Sequence, residues 1–130
     1  MKRSVLRKKS KSERKYLIDF NDKIFRELLL RRDKVCQYTG KPGNLQVSHY
    51  ISRENLHLRW SFENCCIING GIHIFTFHKR HHLYRNFMCQ RIGEDKVKWL
   101  EMQDTTYCRP LYTYDLRLIK QQLLKKLESL

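Results

Sequence analysis

The sequence predicts a mainly helical α+β domain with one small two-stranded hairpin, and three observations lead there. Apolar residues recur at three- and four-residue steps near both ends of the chain. Two short apolar runs of strand character lie between them, at Leu45–Ile51 and Trp60–Ile68. Glycine and proline mark the joints. At 130 residues there is material for one hydrophobic core.

Taken in order, residues 1–15 are polar and basic and read as a flexible arm that finds phosphates electrostatically. Residues 16–130 read as a single domain. From Lys15 to Arg32, Leu17, Phe20, Ile24 and Leu28, with Phe25 and Leu29 beside them, predict one apolar helix face. Gly40, Pro42 and Gly43 mark a loop. Leu45 to Ile51 alternates as a short strand. A polar loop through Ser52–Arg59 leads to a second strand within Trp60–Ile68. Asn69-Gly70-Gly71 breaks the chain, and Ile72 to Arg91 reads as helix, stopped by Gly93. Beyond Pro110, Leu116, Ile119, Leu123, Leu127 and Leu130 share one face of a closing amphipathic helix. That face closes the core or, alternatively, makes a homodimer. Tyr107, Tyr112 and Tyr114 are expected to pack this helix against the body.

Composition narrows the partner. Lys and Arg number 27 against 13 acids, a net charge of +14, which favours a polyanion, and nucleic acid is the commonest. No stretch approaches a membrane span, and the basic N-terminus lacks the apolar segment of a signal peptide. A bacterial or phage-infected cytoplasm is the expected location. The five cysteines (Cys36, Cys65, Cys66, Cys89, Cys108) are odd in number and irregularly spaced, as free thiols or remnants of a metal site would be.

The chemistry-bearing residues are His49 at the end of the first strand, Asn64 fifteen positions on, and His73 nine further, opening a helix. Phosphodiester hydrolysis needs a water deprotonated and the transition-state charge neutralised. An imidazole titrating near neutrality suits the first task, which makes His49 the candidate base. A divalent cation, Mg²⁺ or Mn²⁺, would serve the second, with His73 as its candidate ligand. The Asn64 amide can bridge backbone groups across the hairpin and hold His49 in orientation.

This strand–strand–helix setting is similar to the ββα-metal site of HNH (His-Asn-His) nucleases. The runs Val47-Ser48-His49-Tyr50-Ile51-Ser52-Arg53 and Leu58-Arg59-Trp60-Ser61-Phe62-Glu63-Asn64 resemble the HNH segment of phage NinG (Rap) recombination proteins. Asp19-Phe20-Asn21, Arg31-Arg32-Asp33, Cys36-Gln37-Tyr38-Thr39-Gly40, Arg91-Ile92-Gly93 and Tyr114-Asp115-Leu116 extend the likeness over most of the chain beyond the arm. The resemblance implies a nuclease acting on branched recombination intermediates, Holliday junctions or displacement loops, and leaving 5′-phosphate and 3′-hydroxyl ends. The chain departs from the pattern in three places. The family's two C-x-x-C pairs stand here as Cys36 with Thr39 and Asn69 with Ile72, so no structural zinc is expected and helix packing takes over its role. Ser48 occupies the position where many HNH sites carry a further ligand. His73 lacks its usual cysteine neighbour. A non-catalytic DNA-binding protein on a degenerate HNH fold, or an RNA-binding basic domain, is the alternative.

The missing ligand admits two readings. His78 and His82, four apart on the expected helix, could chelate the ion. In the other reading, which three adjacent cations favour, His78, Lys79, Arg80, His81, His82 and Arg85 form a phosphate-facing strip. Arg53 and Arg59 flank the inter-strand loop and are candidate phosphate forks, or else ion-pair with Glu54 or Glu63. Trp60 is expected to plug the core beneath the hairpin, and Tyr50 to border the cleft.

Overall fold

A computed structural model describes residues 12–105 and 110–130. Most of the basic arm, with Tyr107 and Cys108, lies outside the described residues. The long helix α1 spans Glu13–Asp33, two residues earlier than its apolar pattern suggests, because Ser12 caps it by accepting from the Lys15 N–H. Strand β1 (Leu45–His49) pairs antiparallel with β2 (Cys65–Asn69), with Val47 opposite Ile67 and His49 opposite Cys65. The connection carries a short helix α2 (Leu56–Arg59) where the sequence suggested only loop.

The hairpin is a middle layer. From β2, Cys65 and Ile67 enter a core with Leu17, Phe25 and Leu29 of α1 and with Leu116 and Leu123 of the closing helix α6 (Thr113–Glu128). Cys66 and Ile68 point the other way, into a core with Tyr84, Met88, Val97 and Leu100. Alternate side chains of a strand face opposite sides, so burial on both faces demands four consecutive apolar residues. The second core is closed by α4 (His81–Ile92) and α5 (Glu94–Thr105). Helix α5 escaped the sequence reading because Val97 and Leu100 are its buried apolar anchors.

Helix Ile72–Arg91 of the sequence reading is corrected to three pieces. A three-residue turn α3 (Gly70–Ile72) continues into a π-helical turn over His73–Phe77, the chain turns at His78–Arg80, and α4 follows. At the C-terminus, Leu116 and Leu123 are buried and Ile119 and Leu127 pack on them, but Leu130 lies beyond α6 and is exposed. Tyr112 and Tyr114 are exposed too, rather than packed against the body.

Charge also stitches the layers. Asp33, at the end of α1, accepts from Arg32, from Arg91 of α4 at 3.0 Å and from the Ile67 N–H of β2 at 2.9 Å. Arg91 also donates to Gln37. Thus Asp33 holds α1, β2 and α4 around one carboxylate.

Candidate active-site cleft

An open cleft of about 880 Å³ lies between α1, the hairpin and the start of α4. His49, His73, His78 and His81 all line it, together with Arg26 and Arg53. Three separate elements therefore bring four imidazoles to one concavity.

His49 is held by the loop that follows it. Its Nε2 lies 2.9 Å from the Arg59 carbonyl oxygen. A carbonyl only accepts, so Nε2 carries the hydrogen and Nδ1 keeps the lone pair. Burial pushes the His49 pKa below 6.5; the Arg59 carbonyl opposes this, the Arg59 and Arg53 charges reinforce it, and Asp22 opposes it. The ring is neutral at pH 7, as a base must be.

Asn64 sits fully buried just before β2. Its Oδ1 accepts from the Ile51 N–H at 2.8 Å, and its Nδ2 donates to the carbonyls of Ile51 and Leu58, each at 3.1 Å. The Leu58 carbonyl immediately precedes that of Arg59. Asn64 thereby fixes the stretch of backbone that aims the acceptor at His49.

His73 lies on the π-helical turn, where Gln46 of β1 meets it. Gln46 Oε1 is 3.2 Å from His73 Nδ1, so Nδ1 donates and Nε2 is left with its lone pair. Gly70 permits this approach: a Cβ there would stand 2.8 Å from Gln46 Nε2 and 2.7 Å from Asn44 Nδ2. Burial and the neighbouring His78 both lower the His73 pKa. The π-turn closes through the His78 N–H to the His73 carbonyl, bringing the sixth residue back over the first, and the two rings meet edge-to-face at 4.5 Å.

Two imidazoles, one of them tautomer-fixed, are chemically suited to a first-row divalent cation. No group of three His, Cys, Asp or Glu residues that could hold a metal ion occurs among the described residues, so phosphate and water would have to complete the coordination. His82 does not border the cleft. The helix expected to place it on one face with His78 is interrupted between them. His81 borders the cleft instead and stacks on Tyr50 at 5.3 Å.

The arginines divide. Arg53 borders the cleft and is exposed, 3.8 Å from Asp22. Arg59 is committed elsewhere: it forms a fork with the Asp22 carboxylate at 3.0 and 2.6 Å, and its side chain is only 11% exposed. The partner is neither Glu54 nor Glu63, and Glu63 pairs with Lys96. Trp60 is buried as expected and donates to the same Asp22. Arg85 is likewise paired, with Glu101, which also accepts from Tyr50. Lys79 and Arg80 are exposed on the turn before α4.

Sequence reasoning missed Asp22, Gln46, Arg26 and Glu101. Asp22 and Arg26 are four apart on α1, a spacing that marks one helix face without saying what that face meets. Of the four positions that correspond to the resembling family's zinc ligands, Cys36 alone keeps a cysteine. Cys36 Sγ accepts from the Thr39 N–H, and Ile72 packs on the α4–α5 core. Burial pushes the thiols of Cys65 and Cys66 up, the latter to about 12, which disfavours thiolate ligation by either.

No family model matches the chain, and neither does any curated protein or solved structure. Among the described residues, no helix is long and apolar enough to cross a membrane.

Proposed function

We propose that the chain is a metal-dependent DNA endonuclease of HNH type. The observation that carries this reading is the hydrogen bond from His49 Nε2 to the Arg59 carbonyl, which leaves a neutral imidazole with its Nδ1 lone pair in a basic cleft. His49 takes a proton from water as the water attacks phosphorus in line. The P–O3′ bond opposite breaks, and the departing 3′ oxygen takes a proton from solvent to leave as the 3′-hydroxyl, with the phosphate staying on the 5′ side. Asn64 positions the loop that orients His49. His73 and His78 would hold a divalent ion, Mn²⁺ or Mg²⁺, which supplies charge neutralisation on the scissile phosphate. Arg53 and Arg26 attract the phosphates on either side, and the net charge of +14 draws the polyanion in. The resemblance to NinG proteins makes branched recombination intermediates the substrates to try first.

Cleavage of linear and four-way-junction DNA, with Mg²⁺, Mn²⁺ or EDTA, tests the reading. Metal-dependent nicking by the wild type, lost in His49→Ala with DNA binding intact, is the expected result. A wild type as inert as His49→Ala, with both binding DNA, would support the second reading. That reading is a DNA-binding protein on a degenerate site, favoured by the lack of a three-residue metal group among the described residues.

A further inference from the structure

Ile74 and Phe75 are the one adjacent pair of large exposed apolar side chains among the described residues, 49% and 67% exposed. They lie on the π-helical turn between His73 and His78, both of which border the cleft. The Lys79 ammonium stands 5.4 Å above the Phe75 ring, and the exposed Arg80 follows. An apolar pair set among cations suits a ligand that offers phosphates around a stack of flat, apolar faces. Duplex DNA has that composition. The π-turn makes the placement possible, since its i→i+5 closure brings His73 and His78 to the cleft together and leaves Ile74 and Phe75 outside, while Phe77 enters the core.

We infer that Ile74 and Phe75 form a wedge that enters a base step of the DNA lying across the cleft and unstacks it. Apolar side chains inserted in this way bend the duplex and spend unstacking energy to do so. The wedge therefore favours steps that open easily and disfavours stiff, fully stacked ones. This inference rests on the DNA reading of the cleft and requires no cleavage. It assigns selectivity for easily opened steps, without base-edge contacts, to a residue pair outside the catalytic group. Lys79 holds the Phe75 ring from one side and offers its charge to the adjoining phosphate.

The test is made in EDTA, with duplexes carrying 2-aminopurine at a central step, either continuous or interrupted there by a one-nucleotide gap. Wild type should raise the 2-aminopurine fluorescence and bind the gapped duplex about tenfold more tightly than the continuous one, in line with the range found for base–aromatic contacts. Phe75→Ala should lose both effects while binding continuous duplex within about twofold of wild type. Phe75→Leu, which keeps apolar bulk, should restore most of the fluorescence change. Retention of both effects in Phe75→Ala overturns the wedge. So does wild-type binding without a fluorescence change, which would give the patch to another partner. No DNA binding by wild type would overturn the cleft reading with it, whereas binding and unstacking without cleavage in Mn²⁺ would sink the nuclease reading alone.

Discussion

The carbonyl oxygen of Arg59 lies 2.9 Å from Nε2 of His49, ten residues away and across the inter-strand loop. One backbone acceptor thus decides which imidazole nitrogen is basic. Because burial holds the His49 pKa below 6.5, the unfolded chain takes up this proton before the folded one as pH falls. Stability from His49 is therefore complete above pH 6.5 and is lost as pH falls from there through the folded pKa. Activity should be flat near neutrality, with its acid limb on the acid side of 6.5. Nitrogen-15 NMR of the imidazoles across pH checks both the tautomer and the shift. A His49 resonance titrating above 6.5, or an Nδ1–H tautomer, would remove the basis for the assignment.

Gln46 should matter to the metal more than to the fold. It orients His73 through Nδ1, and loss of such a support typically weakens metal binding by about tenfold or more. Gln46→Ala is expected to raise the Mn²⁺ dissociation constant by about that factor in a calorimetric titration, with the melting temperature nearly unchanged. Gly70→Ala should do the same indirectly, since its Cβ displaces the Gln46 amide. Imidazole donors suit Mn²⁺ better than Mg²⁺, so Mn²⁺ should bind more tightly.

Arg53 and Arg59 should separate in a salt titration of DNA binding. Arg59 forks to Asp22 within the protein, whereas Arg53 is exposed beside the cleft. Arg53→Ala should reduce the slope of log affinity against log salt by about one phosphate contact. Arg59→Ala should leave that slope alone and instead lower stability by about 2 kcal/mol, as expected when a charge-assisted hydrogen-bonded pair is broken. Equal slope changes in the two variants would restore Arg59 to the DNA interface.

The contrast between these arginines shows what the sequence could reveal. His49, Asn64 and His73 could be placed because each sits at a junction marked by local pattern: a strand end, the entry to an apolar run, the second residue after a glycine pair. The hairpin was legible for the same reason. The fork between Arg59 and Asp22 spans 37 positions and depends on how α1 lies against the loop, which no local pattern encodes. The π-turn was illegible because one extra residue per turn barely changes the apolar spacing of Ile72, Phe77 and Tyr84. Yet that residue decides whether His73 meets Phe77 or His78 on its own face. Exposed Tyr112 and Tyr114 mark the converse limit: an aromatic near an amphipathic helix does not declare which side it takes.

Asp33 should be the electrostatic keystone of the fold rather than of the site. Burial raises its pKa, but hydrogen bonds from Arg32 and the Ile67 N–H, with the Arg32 and Arg91 charges, outweigh this and hold it below 3.8. The unfolded carboxylate then takes up its proton at a higher pH than the folded one. Its stabilisation is therefore present above pH 3.8 and is lost as pH falls from there through the folded pKa. Asp33→Asn keeps the shape but gives up the charge. It should cost about 2–3 kcal/mol near neutrality, the range for hydrogen bonds to charged groups. Urea denaturation of wild type and variant at several pH values checks this: the gap should narrow as pH falls below 3.8, because the wild-type carboxylate is then neutralised as well. A gap independent of pH would mean that the amide of the variant fails through geometry, and that the three elements meeting at this carboxylate are held by packing instead.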